Sequence, residues 1–119
     1  MAKRFQHLIG GVGVDSPTHT LSRNSSNLED NLGEFPNATR EQVRLACQTA
    51  RAAAAEWRRT PAPIRGEIIG NIGAAIAREK EALSHLVTRE MGKTLKEARG
   101  DVQEAIDTCH FFQSEGRRL

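Results

Sequence analysis

The tripeptide Gly92-Lys93-Thr94 is the stretch of this sequence that comes nearest to a phosphate-binding motif. A Walker A loop ends in the same residue types, and it binds phosphates through a glycine-rich backbone that precedes the lysine. That loop requires another glycine five positions before Gly92, where this chain has Val87. We therefore interpret the tripeptide as a helix C-cap followed by the start of another helix, and we predict no phosphate site here.

The two cysteines, Cys47 and Cys109, are the only candidates for a thiolate nucleophile. A reactive thiol needs exposure and a positive environment. Both cysteines lie on apolar stripes of predicted helices, so we expect them to be buried as small hydrophobic side chains. They lack C-x-x-C spacing, and no secretory leader precedes them, which favours reduced thiols and a cytoplasmic location. We predict no catalytic role for either.

The histidines lack the spacing of a metal-binding motif; they are His7, His19, His85 and His110. Glu81 and His85 are one helical turn apart, but a site with two ligands is incomplete, so we expect a solvated pair. The run Gly10-Gly11-Val12-Gly13 differs from the G-x-G-x-x-G of dinucleotide-binding proteins. The sequence thus predicts no metal ligands and no cofactor-binding residues.

Charge and hydropathy argue against two classes of partner. The 119 residues carry 17 basic and 15 acidic side chains, a net charge of +2. That balance differs from the dense basic surface of a nucleic-acid-binding protein. No apolar run approaches the roughly 20 residues that cross a bilayer as a helix. We therefore predict that the chain binds neither nucleic acid nor membrane.

Residues 1–36 predict a small, irregular β region. Gly10-Gly11 lies between two short apolar runs and favours a tight hairpin turn, because glycine adopts a positive φ at low cost. Residues 18–22 and 31–35 are weaker strand candidates.

From residue 37 onward the pattern is helical. Thr39 and Gln42 have the spacing of a capping box, and Pro61 and Pro63 separate the first helix from the second. The apolar stripe of the first helix recurs at three- and four-residue steps: Val43, Cys47, Ala50, Ala54 and Trp57. The second carries an isoleucine at every fourth position: Ile64, Ile68, Ile72 and Ile76. A polar patch at residues 78–81 predicts a bend or break in the second helix.

A third helix follows a predicted C-cap at Gly92. Thr94 and Glu97 form a second capping-box pattern at its start. Its apolar stripe alternates steps of three and four: Leu95, Ala98, Val102, Ala105, Cys109 and Phe112. The sequence therefore predicts a mainly α fold with three principal helices, the second one broken, and a small N-terminal β-hairpin region. We divide the chain into a β-hairpin region, residues 1–36, and a helical segment, residues 37–119.

The order of these motifs resembles the N-terminal region of the NAD(P)-dependent aldehyde dehydrogenase family. The resemblance is carried by the hairpin around Gly10-Gly11, by Gly33-Glu34-Phe35-Pro36, by a helix that ends in Trp57 before Pro61-Ala62-Pro63, and by Glu90-Met91-Gly92-Lys93. Residues 100–107 are most similar to the semialdehyde-oxidising branches of the family. The resemblance implies a fragment of the α/β aldehyde dehydrogenase fold, within its N-terminal cofactor-binding domain.

The resemblance also implies a chemistry. Family members oxidise aldehydes or semialdehydes to carboxylic acids with NAD(P)+ through a cysteine thioester. Their nucleophile, base, oxyanion asparagine and dinucleotide-contacting loops lie downstream of the region matched here. No catalytic residue is therefore carried over to this chain. We expect it to be inactive alone and to bind no NAD or NADP by itself.

Glu104 is the one position to which the resemblance gives a substrate-binding role. It aligns with a position that lines the substrate tunnel in the family, where a carboxylate would attract the cationic or polar end of a semialdehyde. The other interpretation is a solvent-facing helix glutamate.

Two hypotheses about partners stay open. The chain would pack against the remainder of an aldehyde dehydrogenase, or would self-associate through apolar faces, including residues 64–76, that are exposed without it. The alternative is a small helical protein-interaction module without catalysis.

Overall fold

The computed structural model describes residues 3–118. Four strands precede four helices: β1 (His7–Ile9), β2 (Val12–Val14), β3 (His19–Asn24), β4 (Asn27–Pro36), α1 (Arg40–Arg59), α2 (Ala62–Arg78), α3 (Lys80–Met91) and α4 (Leu95–Glu115). The chain divides between Arg59 and Thr60 into two compact units, one with β1–β4 and α1 and one with α2–α4. The predicted mainly α fold with a β-hairpin region is confirmed, and the second predicted helix is broken into α2 and α3. The segments 1–36 and 37–119 are based on composition and stay a prediction.

Two antiparallel hairpins make up the β region. β1 and β2 are joined by Gly10 and Gly11, whose φ angles of 60° and 80° require glycine, as predicted. β3 pairs with β4 from His19 opposite Pro36 to Asn24 opposite Asn27, with an irregular register between Ser22 and Asn24. These strands are longer than the predicted runs because pairing extends across the turn.

Residues 3–5 add a short paired segment to the outer side of β4. The N–H of Phe5 donates to the carbonyl oxygen of Glu34, and the N–H of Glu34 donates to that of Lys3, both at 2.9 Å. The Phe5 and Phe35 rings stack with their centroids 4.7 Å apart. The Phe5 ring also crosses Gly33, where an added Cβ would lie 2.5 Å from a ring carbon. A side chain at position 33 would therefore displace this segment.

The predicted capping box begins α1. The N–H of Thr39 donates to Gln42 Oε1 at 2.8 Å, and the N–H of Gln42 donates to Thr39 Oγ1 at 3.2 Å. The expected burial of the apolar stripe of α1 is not found: none of its residues is buried, and Cys47 is exposed. The three-residue strands of the first hairpin span about 10 Å, whereas α1 is about 30 Å long. The hairpin is therefore too short to cover this stripe.

The helices of the second unit pack through faces that differ in part from the predicted stripes. In α2 the buried residues are Gly66, Gly70 and Gly73, whereas Ile64, Ile68 and Ile72 are 41–48% exposed. In α4 the buried residues are Ala98, Val102 and Ile106. Ala105 and Phe112, which the predicted stripe included, are exposed. The partner helix decides which face is buried, and α2 presents small residues to α4.

Each break between helices has a local cause. Glu79, with φ −99° and ψ 11°, ends α2 and begins α3 within the polar patch that predicted a break. Gly92 ends α3 in the left-handed conformation at φ 75°. Thr94 and Glu97 then form the predicted capping box of α4. Gly92-Lys93-Thr94 thus joins the C-cap of α3 to the N-cap of α4, which agrees with the interpretation based on Val87.

Within residues 3–118 no helix is long and apolar enough to cross a membrane. The same residues contain no group of three His, Cys, Asp or Glu side chains placed to hold a metal ion.

Candidate functional site

Glu104 lies in the middle of α4 and is exposed to solvent. It sits between the buried positions Val102 and Ile106 in sequence, but on the opposite side of the helix from them, because successive helical residues turn by about 100°. The structure therefore places the predicted substrate-binding carboxylate on the face of α4 opposite its packed residues.

A shallow apolar groove of about 360 Å³ runs along the same helix. Its lining comes from the end of α2, from α3 and from α4: Ile76, Leu83, Val87, Asp101, Val102 and Ala105. Asp101 is the only charged residue among them. Glu104 does not line the groove, but it directly precedes Ala105, which does.

The polar edge of this groove is an ion pair. Lys93 Nζ donates to Asp101 Oδ2, and this hydrogen bond raises the pKa of Lys93 above its ordinary value. Two residues further along α4, and on another side of it, Lys80 Nζ donates to Gln103 Oε1 at 2.7 Å. Two lysines from outside α4 thus bind polar side chains of this helix, and the charge of Lys93 lies next to Asp101.

A second ion pair fixes α3 against α4. Arg99 donates from Nε to Glu81 Oε1 and from Nη2 to Glu81 Oε2, each at 2.9 Å. The hydrogen bonds from Arg99 lower the pKa of Glu81, and those to Glu81 raise the pKa of Arg99. This bidentate geometry is the orientation-specific form of the pair. Glu81 is therefore engaged by Arg99, which differs from the solvated pair with His85 that we predicted.

The contact between α2 and α4 is unusually close because it is made by glycines. A Cβ added to Gly66 would lie 2.6 Å from the backbone oxygen of Gln113, and one added to Gly73 would lie 2.8 Å from Cys109 Cβ. Cys109 is therefore part of the helix contact, as expected for a packing residue.

The groove is the feature that sequence reasoning missed. The sequence shows the apolar residues Leu83 and Val87 four positions apart, and Val102 and Ala105 three positions apart. Their convergence depends on how α3 packs against α4 after the chain turns at the Gly92 C-cap. A pattern along one helix carries no information on that packing.

These helices and hairpins match one protein family. The model of the aldehyde dehydrogenase family matches residues 14–119, most of the chain. The chain belongs to the aldehyde dehydrogenase family. The predicted resemblance is thereby confirmed, and it covers the hairpin β3–β4 and all four helices of this aldehyde dehydrogenase segment.

Individual relatives agree with that membership. The segment is 34% identical over 121 residues to the alpha-ketoglutarate semialdehyde dehydrogenase of Haloferax volcanii, covering 100% of this chain and 25% of that protein. It is 46% identical over 82 residues to a putative aldehyde dehydrogenase family 7 member A1 homolog of Dictyostelium discoideum, covering 69% of this chain and 16% of that protein.

Solved structures show the same fold. An NAD-dependent aldehyde dehydrogenase from Sinorhizobium meliloti superposes with a TM-score of 0.92 at 25% identity, over 100% of this chain and 24% of that one. An NADP-dependent enzyme from E. coli gives a TM-score of 0.91 at 31% identity, over 98% and 24%. The aldehyde dehydrogenase segment therefore spans about a quarter of the length of these proteins.

Proposed function

We propose that this chain is the N-terminal portion of an aldehyde dehydrogenase, and that alone it catalyses no oxidation. The observation that supports this most strongly is the superposition of the whole chain on about a quarter of the Sinorhizobium meliloti enzyme. The packing of Cys109 against Gly73 gives further support, since it makes this thiol part of a helix contact.

The role of such a portion is to build part of the cofactor-binding domain, in which the remainder of a dehydrogenase is the natural partner. The exposed face of α2, at Ile64, Ile68 and Ile72, and the groove beside α4 are apolar surfaces for such packing. Both cysteines are free, which suits a reducing cytoplasm. The isolated chain binds no NAD or NADP under this proposal, whereas the assembled enzyme uses one of them.

A chimera tests the proposal. This chain would replace the quarter of the Haloferax volcanii enzyme that it matches, and the formation of NADH or NADPH from alpha-ketoglutarate semialdehyde would be measured. We expect the chimera to be active and residues 1–119 alone to give no turnover and no saturable cofactor binding by calorimetry. Turnover by the isolated chain would refute the proposal, as would a folded chimera that has no activity.

For the substrate we propose a semialdehyde, with Glu104 near its polar end. Three relatives named as dehydrogenases of alpha-ketoglutarate, malonate and succinate semialdehyde support this class. Glu104 is exposed on the face of α4 opposite Val102 and Ile106, so its carboxylate is accessible to a substrate bound on that face. We expect Glu104→Gln in the chimera to raise KM with little change in kcat. Asp107→Asn, one turn further along the same exposed helix, is the matched control and should leave KM unchanged.

The alternative function is a helical interaction module without catalysis, which the exposed α2 isoleucines favour. A folded, monomeric chain that captures one specific protein, together with an inactive chimera, would support this alternative over the dehydrogenase segment.

A further inference from the structure

β3 is the outer strand of the β region in the first compact unit. Residues 3–5 pair with one side of β4, and β3 pairs with its other side. Among residues 3–118 no second strand pairs with β3. The side of β3 that faces away from β4 is therefore a free strand edge, with backbone groups that another strand can bond.

The hydrogen bonds of Glu34 in β4 show which way Leu21 in β3 points. The carbonyl oxygen of Glu34 accepts the N–H of Phe5, and the N–H of Glu34 donates to the carbonyl oxygen of Lys3. Both backbone groups of Glu34 thus point away from β3, and Leu21 is the residue opposite it. Opposite residues in an antiparallel pair either bond each other or both point outward. The N–H and C=O of Leu21 therefore point away from β4.

The backbone of His19 has the same orientation as that of Leu21. The N–H of Asn37 donates to the carbonyl oxygen of Thr18 at 2.9 Å, so Thr18 bonds on the β4 side. Bonded and outward-pointing residues alternate along such a ladder. Thr20 therefore also bonds toward β4. His19 and Leu21 present their N–H and C=O groups on the outer side of β3, and we call these two residues the open edge.

The open edge is short and accessible. Leu21 is 37% exposed. The register between β3 and β4 becomes irregular between Ser22 and Asn24, and such an irregularity increases the local twist and ends regular pairing. A strand added on the outer side would therefore pair with residues 19–22 and exchange its hydrogen bonds with His19 and Leu21.

The small size of the open edge decides which partner it fits. The backbone groups of two residues are far fewer than the about ten direct hydrogen bonds of a typical interface between separate chains. A second copy or a free peptide would gain too little from them to stay bound. A strand of the same polypeptide is held nearby at a high effective concentration, so a few hydrogen bonds are enough. The aldehyde dehydrogenase segment spans about a quarter of its relatives, so the rest of a dehydrogenase can supply that strand.

We propose that the open edge of β3 receives an extended strand from the remainder of the dehydrogenase, an inference that rests on the proposed function. Backbone groups that packing removes from water need hydrogen-bond partners. A strand supplies them, as in other cases of strand addition to a sheet edge, whereas the groups inside a helix are already bonded to one another. The added strand extends the β region beyond β3 and joins this unit to the rest of the enzyme.

Hydrogen exchange of single amides, measured by mass spectrometry with electron-transfer fragmentation, tests the added strand. Residues 1–119 alone are compared with the chimera that carries the rest of the Haloferax volcanii enzyme. We expect the amides of His19 and Leu21 to exchange about tenfold or more slowly in the chimera, because each N–H gains an acceptor. The Thr20 amide bonds toward β4 and should be protected in both proteins. Unchanged exchange of His19 and Leu21 in a folded, active chimera would overturn the added strand and leave the proposed function intact, whereas slowed exchange without turnover would refute only the proposed function.

A proline at position 21 gives a second test, because it removes an N–H that points outward. In residues 1–119 alone, Leu21→Pro should leave the amide of Phe35, which lies opposite Thr20, protected. In the chimera, Leu21→Pro should lower the melting temperature more than Leu21→Thr, the matched control that loses the same side chain but keeps the N–H. Equal melting temperatures of the two variants would contradict the added strand. Loss of Phe35 protection in the isolated Leu21→Pro chain would also overturn it, and that measurement does not require a folded chimera.

Discussion

Gly66 shows how a single residue type sets the distance between two helices. The backbone of α2 approaches that of α4 so closely that a Cβ at Gly66 would meet the Gln113 backbone oxygen at 2.6 Å. Backbone atoms cannot rotate away as a flexible side chain can. Gly100, by contrast, is exposed, and beyond its chain neighbours and its own helix backbone no atom lies within 4 Å of an added Cβ. Comparing these two positions distinguishes the effect of a glycine on helix packing from its low helix propensity.

We predict opposite effects for the same substitution at these positions. Gly66→Ala should lower the free energy of unfolding by about 1–3 kcal/mol, because α2 and α4 must move apart. Gly100→Ala should raise it by about 0.5–1 kcal/mol, because alanine favours the helix. Urea unfolding followed by circular dichroism measures both. A stabilising Gly66→Ala would contradict the close contact.

For single residues, the sequence predicted helix caps and turns, but it did not predict which side chains are buried. Gly10, Gly92 and Thr94 were predicted correctly because each acts on its own backbone within a few residues. The isoleucines of α2 predicted the wrong packing face, because hydrophobicity alone ranks isoleucine above glycine. The short distance to α4 reverses that order. Likewise, the burial predicted for Cys47 required a neighbouring element that the first hairpin is too short to provide.

Among the helices, α4 begins with a capping box whose contribution to stability can be measured. Thr94 Oγ1 accepts the N–H of Glu97, and Glu97 Oε2 accepts the N–H of Thr94. We predict that Thr94→Ala lowers the free energy of unfolding by about 1 kcal/mol, since the helix-terminal N–H of Glu97 loses its acceptor. Thr108→Ala, at an exposed position within α4, is the control and should be neutral or slightly stabilising. Thermal unfolding of both variants gives the comparison, and equal losses would rule out a capping contribution.

Glu97 gives this cap a pH dependence. Its hydrogen bonds from Thr94 lower its pKa below the ordinary value of 4.5. A lowered pKa in the folded state means that the stabilisation is complete above about the unfolded pKa and is lost as the pH falls through the folded one. We predict that Glu97→Gln is less stable than the parent at pH 7 and equally stable at pH 2. Unfolding by urea at both values measures this, and a difference that persists at pH 2 would contradict it.

The elements themselves were largely predictable, and their mutual arrangement was not. The break at Glu79 followed from a local polar patch, and the first hairpin followed from Gly10-Gly11, whereas β3 and β4 were only weak strand candidates at residues 18–22 and 31–35. The groove beside α4 required the packing of α3 against α4, across which the Arg99–Glu81 pair lies, with Lys93–Asp101 at the groove's edge. Contacts between residues 8 and 18 positions apart leave no periodic trace in the sequence.

At the scale of the whole molecule, the second compact unit exposes a row of apolar side chains. Ile64, Ile68 and Ile72 form one row along α2, each 41–48% exposed. Such a row costs free energy in water, roughly 25 cal/mol for each Å² of apolar area left accessible. In an intact dehydrogenase we propose that other parts of the chain cover it. In the isolated chain, the same row on a second copy could cover it.

We therefore predict that residues 1–119 self-associate and that Ile68→Lys weakens this association. The added charge would be buried in the contact between copies, so the mean mass should fall toward that of one chain. Light scattering behind size exclusion, at several concentrations, measures the mass. Ala74→Lys is the matched control, because it adds the same charge to an exposed position on another side of α2. A parent chain that stays monomeric at every concentration, or equal weakening by Ala74→Lys, would show that the isoleucine row does not drive association.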